Sequence, residues 1–152
     1  MTTRPQNPGD FPRRQMSGFV LAGGRSSRLG QDKVLLPWNG RTLLRHAIER
    51  LHQVCGIVQV CADRTDLRDD LRLDDLRTSG LLSQDAQIRD AVSGAGPLGG
   101  IVAALEQSPS EWNLFLAVDL PLLPVPLLRA LAEYAESVSA GDAGLAKAGG
   151  RS

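Results

Sequence analysis

Glycine and positive charge are concentrated in one short segment near the start of the sequence. An apolar run that ends at residues 21–22 meets Gly23 and Gly24. Three cations follow: Arg25, Arg28 and Lys33. Paired glycines at a strand end let the backbone approach a ligand closely, and successive N–H groups there can point at phosphate oxygens. The segment is therefore either a phosphate-binding loop or a tight turn with exposed charges.

This loop differs from two familiar phosphate-binding motifs. A Walker A motif needs glycine, four residues and then Gly-Lys-Ser/Thr, whereas Gly24 and Gly30 are separated by five residues and Gln31 follows. The Gly-x-Gly-x-x-Gly pattern of dinucleotide-binding folds is also missing. The loop by itself therefore does not identify a class of enzyme.

Two aspartates stand where a carboxylate could serve a nucleotide. Asp119 ends the apolar run 115–118, and Mg²⁺ is usually bound by one or two carboxylates together with phosphate oxygens. The alternative for Asp119 is a cap on the turn before Pro121. Asp90 precedes the glycine-rich segment 93–100, which either lies against a base or ribose or is a linker. Its carboxylate either accepts hydrogen bonds from such a ligand or is solvated.

The hydrophobic pattern predicts alternating strands and helices. The predicted strands are 17–22, 57–62, 86–90 and 112–118, and the predicted helices are 42–54, 101–106 and 126–138. This alternation is typical of an α/β sandwich with a mostly parallel sheet. In such sheets ligands bind outside the carboxyl ends of the strands, where the first glycine-rich loop is expected to lie.

Composition favours one soluble globular domain. The chain has 152 residues, with 17 basic and 17 acidic side chains, a balance that argues against a general nucleic-acid or anionic-membrane binder. We expect residues 1–16 to be a disordered leader and residues 17–152 to be the domain. With no membrane-length apolar run, no secretory signal and only Cys55 and Cys61 as thiols, a cytoplasmic protein is expected. The Asp/Arg-rich segment 63–77 is expected to be a solvated helix or loop.

Three segments together resemble the molybdenum cofactor guanylyltransferases, which belong to the wider nucleotidyltransferases. LAGGRSSRLGQDK at 21–33 is similar to the signature LAGGxSxRMGxDK. DAVSGAGPLGG at 90–100 is similar to DxxPGxGPLAG, with Ser93 where proline is usual, and DLP at 119–121 matches DxP. The resemblance implies a three-layer Rossmann-like nucleotidyltransferase fold with a mostly parallel sheet.

The resemblance also implies a role for each matching residue, with GTP as substrate and Mg²⁺ as cofactor. The implied nucleotide-binding residues are Leu21, Ala22, Gly23, Gly24, Lys33, Asp90 and Asp119, and the implied catalytic residues are Lys33, Arg28 and Asp119. Asp119 is the implied magnesium ligand. Lys33 and Arg28 would neutralise the phosphates, and Asp90 would lie beside the guanosine.

The implied reaction transfers GMP from Mg-GTP to the terminal phosphate of molybdopterin, as its molybdenum complex, and releases pyrophosphate. A phosphate nucleophile is already ionised, so positioning and charge neutralisation are sufficient and neither His46 nor His52 is needed. Molybdoenzymes or their chaperones are further candidate partners.

Departures from the family pattern leave two alternatives open. Family members run on for several tens of residues, so the chain is expected to lack the usual C-terminal part of the domain. Cys61 stands where some relatives have an asparagine that contacts the nucleotide. One alternative is a truncated, inactive GTP-binding relative. The other is a cytidylyltransferase of the same fold, although those relatives tend to carry Ala-Ala-Gly where this chain has Ala-Gly-Gly at 22–24.

Overall fold

The computed structural model describes only part of the chain. The described residues are 16–22, 33–62, 76, 78–82, 87–89 and 96–148. The predicted leader therefore lies outside them except for its last residue, Met16, and so does nearly all of segment 63–77. The chain divides into two compact units, Met1–Leu122 and Leu123–Ser152.

A parallel four-stranded sheet is the framework of the first unit. Its strands are β1 (Met16–Leu21), β4 (Ile57–Cys61), β5 (Gln87–Ile88) and β6 (Trp112–Ala117), arranged in the order β5-β4-β1-β6. All three neighbouring pairs are parallel, which confirms the predicted sheet. Strand β1 begins one residue earlier than predicted because buried Met16 still pairs with Trp112.

A small hairpin precedes the first helix. After a 3-10 turn (Lys33–Leu35), strands β2 (Pro37–Trp38) and β3 (Arg41–Thr42) pair in antiparallel fashion. Asn39 and Gly40 connect them, both with positive φ, 48° and 78°, as a type I′ hairpin turn requires.

Helix α1 (Leu43–His52) follows the hairpin and matches the predicted helix closely. The side chain of Thr42 caps it by accepting a hydrogen bond from the Arg45 N–H at 3.2 Å, which satisfies one of the donors that a helix start leaves unpaired. Its apolar residues recur on one buried face: Leu43, Leu44, Ala47, Ile48 and Leu51.

Helix α2 (Pro97–Gln107) begins four residues earlier than predicted. Residues 97–100, interpreted from the sequence as glycine-rich loop, are its first turn. Proline suits this position because its missing N–H would have had no partner there. The helix starts after Gly96, whose φ of 65° favours glycine.

The two helices pack on opposite faces of the sheet, which gives three layers. Successive strand residues point to opposite faces. Gly18 of β1 lies against Cys55 and Leu51 on the α1 side. Phe19, the next residue, belongs to the cluster on the α2 side, which also contains Cys61, Ile88, Ala103 and Ala104. Its ring stacks on Phe115 of β6, with 5.1 Å between the centroids.

The second unit is dominated by helix α3 (Val125–Ala148). It is longer than the predicted 126–138 and continues to Ala148, within the Gly/Ala-rich segment. No helix among the described residues is both long and apolar enough to span a membrane.

Candidate functional site

The four parallel strands end in line with one another. Leu21 is paired with Cys61 on one side and with Ala117 on the other, and Cys61 is paired with Ile88. Because the strands are parallel, the segments that leave them start at the same edge of the sheet. The sequence places the first glycine-rich loop, Asp90 and Asp119 in those segments.

Backbone hydrogen bonds continue this alignment one residue past the strands. The Ala22 N–H donates to the Cys61 carbonyl at 2.9 Å, and the Val118 N–H donates to the Leu21 carbonyl at 3.2 Å. Val118 is thereby fixed beside the point where the chain enters the glycine-rich loop. Asp119 is the next residue, so its position relative to the start of the loop is set by the sheet itself.

Asp119 lies in a tight turn with an open side chain. The Leu120 N–H donates to the Ala117 carbonyl at 3.4 Å, which makes Asp119 the third residue of a four-residue turn. Its side chain is exposed and has no hydrogen bond or ion pair with any residue that the structure describes. The capping role considered from the sequence therefore finds no support among those residues.

An open carboxylate of this kind fits a nucleotide-bound Mg²⁺. Magnesium keeps several waters and is often held by one or two protein carboxylates together with substrate phosphates. Within the described parts of the chain, no group of three or more His, Cys, Asp or Glu side chains could hold a metal ion. Asp119 thus suits a cation that arrives with most of its ligands already supplied.

Arg50 contacts the backbone just after Asp119, and the sequence did not predict this contact. It lies on α1 and donates a hydrogen bond from Nη2 to the carbonyl oxygen of Pro121, two residues after Asp119. The two residues are 71 positions apart in the chain. From the sequence, Arg50 reads as an ordinary cation in the last turn of a helix, where it complements the helix dipole.

The thiol of Cys61 packs in the core and is therefore not accessible to a ligand. Its side chain is buried in the cluster with Phe19 and Ile88 on the α2 side of the sheet. The resemblance assigns a nucleotide contact to an asparagine at this position, and the packing of the thiol is a physical reason not to expect that contact from Cys61. Cys55, on the other side of the sheet, is buried too, and burial raises its pKa to about 12.

The other predicted site residues fall largely outside the part of the chain that the structure describes. Gly23, Gly24, Arg28 and Asp90 lie outside the described residues. The backbone of Lys33 begins the 3-10 turn, but its side chain is not described. The turn and the residue after it are anchored, since Val34 within the turn is buried and the Leu43 N–H donates to the Leu36 carbonyl at 3.0 Å.

Among the predicted site residues whose side chains the structure describes, Leu21, Ala22 and Asp119 lie close together at the carboxyl edge of the sheet.

His46 has a structural partner. Its Nε2 atom lies 2.7 Å from the carbonyl oxygen of Trp38, which ties α1 to the β2–β3 hairpin. This contact accounts for the histidine without a chemical role.

Comparison with known families identifies a match over nearly the whole chain. The model of the MobA-like NTP transferase domain matches residues 18–152. A molybdenum cofactor guanylyltransferase from Xanthomonas euvesicatoria pv. vesicatoria is 39% identical over 116 residues, which are 76% of this chain and 52% of that protein. A probable molybdenum cofactor guanylyltransferase from Synechococcus elongatus is 37% identical over 123 residues, 79% of this chain and 58% of that protein. The chain therefore spans little more than half the length of these curated relatives.

Solved structures share the same fold at lower identity. A CMP:2-keto-3-deoxy-manno-octonic acid synthetase complexed with CTP has a TM-score of 0.66 at 18% identity, covering 81% of this chain and 48% of that chain. A nucleotidyl transferase from Methanothermobacter has a TM-score of 0.57 at 21% identity, covering 78% of this chain and 57% of that chain. These likenesses confirm the Rossmann-like nucleotidyltransferase fold.

Proposed function

Because this chain belongs to the MobA-like NTP transferase family, we propose that it transfers GMP from Mg-GTP to the terminal phosphate of molybdopterin in its molybdenum complex. The acceptor phosphate oxygen forms a bond to the α-phosphorus of GTP. The bond from that phosphorus to the bridging oxygen breaks, and pyrophosphate leaves. The acceptor phosphate is already ionised, so the protein needs only to align the two reacting phosphates and to neutralise part of their negative charge.

One observation carries the proposal. The bond from the Val118 N–H to the Leu21 carbonyl places an open carboxylate, Asp119, beside the start of a loop rich in glycine and cations. A triphosphate that occupies this loop would present its oxygens to a cation held at Asp119. Such a cation would offset phosphate charge and polarise the reacting phosphoryl group.

The backbone hydrogen bonds indicate which groups of the loop residues are available to a nucleotide. The carbonyl of Leu21 and the N–H of Ala22 already take part in bonds between strands. The Ala22 carbonyl oxygen takes part in neither bond, so we expect a nucleotide to meet it there, where it can accept from a base amino group or a ribose hydroxyl. At Leu21 we expect a contact through the second lone pair of the carbonyl oxygen. Phosphate oxygens would be met by N–H groups from Gly23 and Gly24 and by the cations Arg28 and Lys33, with Asp90 beside the guanosine.

Thermal melting of the 152-residue chain tests the nucleotide. A ligand bound only by the folded state at a hundred times its Kd stabilises that state by about 2.7 kcal/mol. For a chain of this size, we expect Mg-GTP to raise the melting midpoint by roughly 5 °C or more, and Mg-CTP to leave it near that of the unliganded chain. A rise with Mg-CTP alone would instead favour a cytidylyltransferase.

A transfer assay tests the chemistry. We expect pyrophosphate release from Mg-GTP only when molybdenum cofactor is added as acceptor. A chain whose melt responds to Mg-GTP but which releases no pyrophosphate with the acceptor would be an inactive GTP-binding relative.

A further inference from the structure

The turn that carries Asp119 is held at both ends. On the strand side, the Val118 N–H is bonded to the Leu21 carbonyl and the Leu120 N–H to the Ala117 carbonyl. On the far side, the Pro121 carbonyl accepts the hydrogen bond from Arg50. Pro121 has a ring-fixed φ, so holding its carbonyl restricts how the backbone leaves Asp119.

Arg50 differs from the nearby arginines Arg41 and Arg45 in the kind of partner that its guanidinium contacts. Arg45 pairs with Glu49 on the same helix at 3.0 Å, and Arg41 pairs with Glu49 at 2.6 Å. These are partly exposed ion pairs of a kind that adds little to stability. Arg50 instead reaches across to a backbone carbonyl in another part of the first unit, and its contact is partly buried.

Backbone carbonyls that are held by a charged donor are well fixed, because hydrogen bonds with one ionised partner are about twice as strong as neutral ones. Groups that orient a metal-binding carboxylate are known to matter for metal affinity, although they never touch the metal. Arg50 would orient the Asp119 carboxylate in the same indirect way, because it holds the backbone two residues after Asp119.

We propose that Arg50 is a positioning residue for Asp119, which it aims by holding the carbonyl of Pro121. This inference rests on the proposed function, in which Asp119 receives the Mg²⁺ of Mg-GTP. Arg50 itself contacts neither nucleotide nor metal in this proposal. Losing its hydrogen bond would therefore weaken the response to Mg²⁺ rather than abolish nucleotide binding.

The test is a Mg²⁺ titration of the melting midpoint at fixed GTP, made on the parent chain, Arg50→Gln and the matched control Arg45→Gln. Both variants remove one guanidinium from α1, but only Arg50→Gln frees the Pro121 carbonyl. We expect the Mg²⁺ concentration at half-maximal shift to rise roughly tenfold in Arg50→Gln and to stay at the parent value in Arg45→Gln. In EDTA, without GTP, the two variants are expected to melt within a few degrees of each other.

The outcomes separate this inference from the proposed function. A parent chain that does not respond to Mg-GTP overturns the proposed function and the inference with it. A parent chain that responds, with Arg50→Gln titrating like Arg45→Gln, overturns the inference alone. Should Arg50→Gln not melt cooperatively, Arg50→Met takes its place, because methionine keeps an unbranched apolar stem but cannot donate a hydrogen bond to the Pro121 carbonyl. A Mg²⁺ midpoint severalfold above the parent value then supports the inference, and an unchanged one overturns it.

Discussion

At the scale of single residues, Asp119 is fixed through its backbone and open through its side chain. The sheet and Arg50 hold the peptide groups on either side of it, while its carboxylate is exposed. Sites that bind a cation benefit from this combination, because the ligand is already placed when the cation arrives. The position of Asp119 just after a strand was predictable because its signal is local: an apolar run that ends in a carboxylate. Arg50 was not, because its partner lies 71 residues further along the chain.

Asp119→Asn is the residue-scale prediction for the cation. Asparagine keeps the shape of the side chain but removes the negative charge that a hard cation prefers. We expect most of the Mg²⁺-dependent part of the GTP-induced rise in melting midpoint to be lost. Since the side chain is exposed, we expect the free energy of unfolding without ligand to change by no more than about 0.5 kcal/mol.

Glu111→Gln is the matched control for that variant. Glu111 is an exposed carboxylate that directly precedes β6, at the opposite end of the strand from Asp119. It should leave the Mg²⁺-dependent shift intact. If Asp119→Asn and Glu111→Gln both retained the full shift, the assignment of the cation to Asp119 would be wrong.

At the scale of elements, the sequence predicts what is locally patterned and misses what neighbours impose. Helix α1 was predictable because its apolar spacing and its Thr42 cap agree. The start of α2 was missed because proline and glycines are breakers in isolation, although the first turn of a helix tolerates them. Helix α3 extends past its predicted end through two glycines, each of which costs about 1 kcal/mol relative to alanine in a helix. Local preference therefore predicted an earlier end than the structure has.

The packing of β1 against the segment after α1 is the element-scale prediction. A Cβ atom added at Gly18 would lie 2.9 Å from the Cys55 sulfur and 3.3 Å from the Leu51 Cβ. Gly18→Ala should therefore lower the free energy of unfolding by roughly 1–3 kcal/mol, measured by urea denaturation. In a Cys55→Ala background the same substitution should cost less, because the nearest clashing atom has been removed.

That double-mutant comparison isolates the contact. Equal losses from Gly18→Ala in the parent and in the Cys55→Ala background would mean that the Cys55 sulfur does not limit the space at Gly18. The close approach of β1 to residue 55 would then not be the reason why glycine is required at position 18.

At the scale of the whole molecule, the described part of the site lies within the first unit. Leu21, Ala22, Arg50, Asp119 and Pro121 all fall inside Met1–Leu122. The binding of Mg-GTP can therefore be tested on this chain as it stands, although the chain spans little more than half of its curated relatives. Binding and transfer are separate questions for that reason, and melting and pyrophosphate release answer them independently.

Stability of the whole fold at high pH provides the last prediction, through the buried thiol of Cys55. Burial raises its pKa from the ordinary 9.0 to about 12. Well below pH 9 the thiol is protonated in both folded and unfolded chains, so its contribution is constant. Between pH 9 and 12 only the unfolded chain releases the proton, and each pH unit there can cost up to about 1.4 kcal/mol.

We therefore expect the free energy of unfolding, measured with urea, to fall by roughly 1.5 kcal/mol more in the parent than in Cys55→Ala between pH 9 and pH 10.5. Cys55→Ala is the proper comparison because every other titrating group is present in both chains, so that only the difference reports on this thiol. Alanine at this position should cost about 1 kcal/mol at pH 8 through lost packing, and that cost is independent of pH. Two curves that fell in parallel would mean that Cys55 ionises as readily in the folded chain as in the unfolded one, and that the α1 side of the core is open to water.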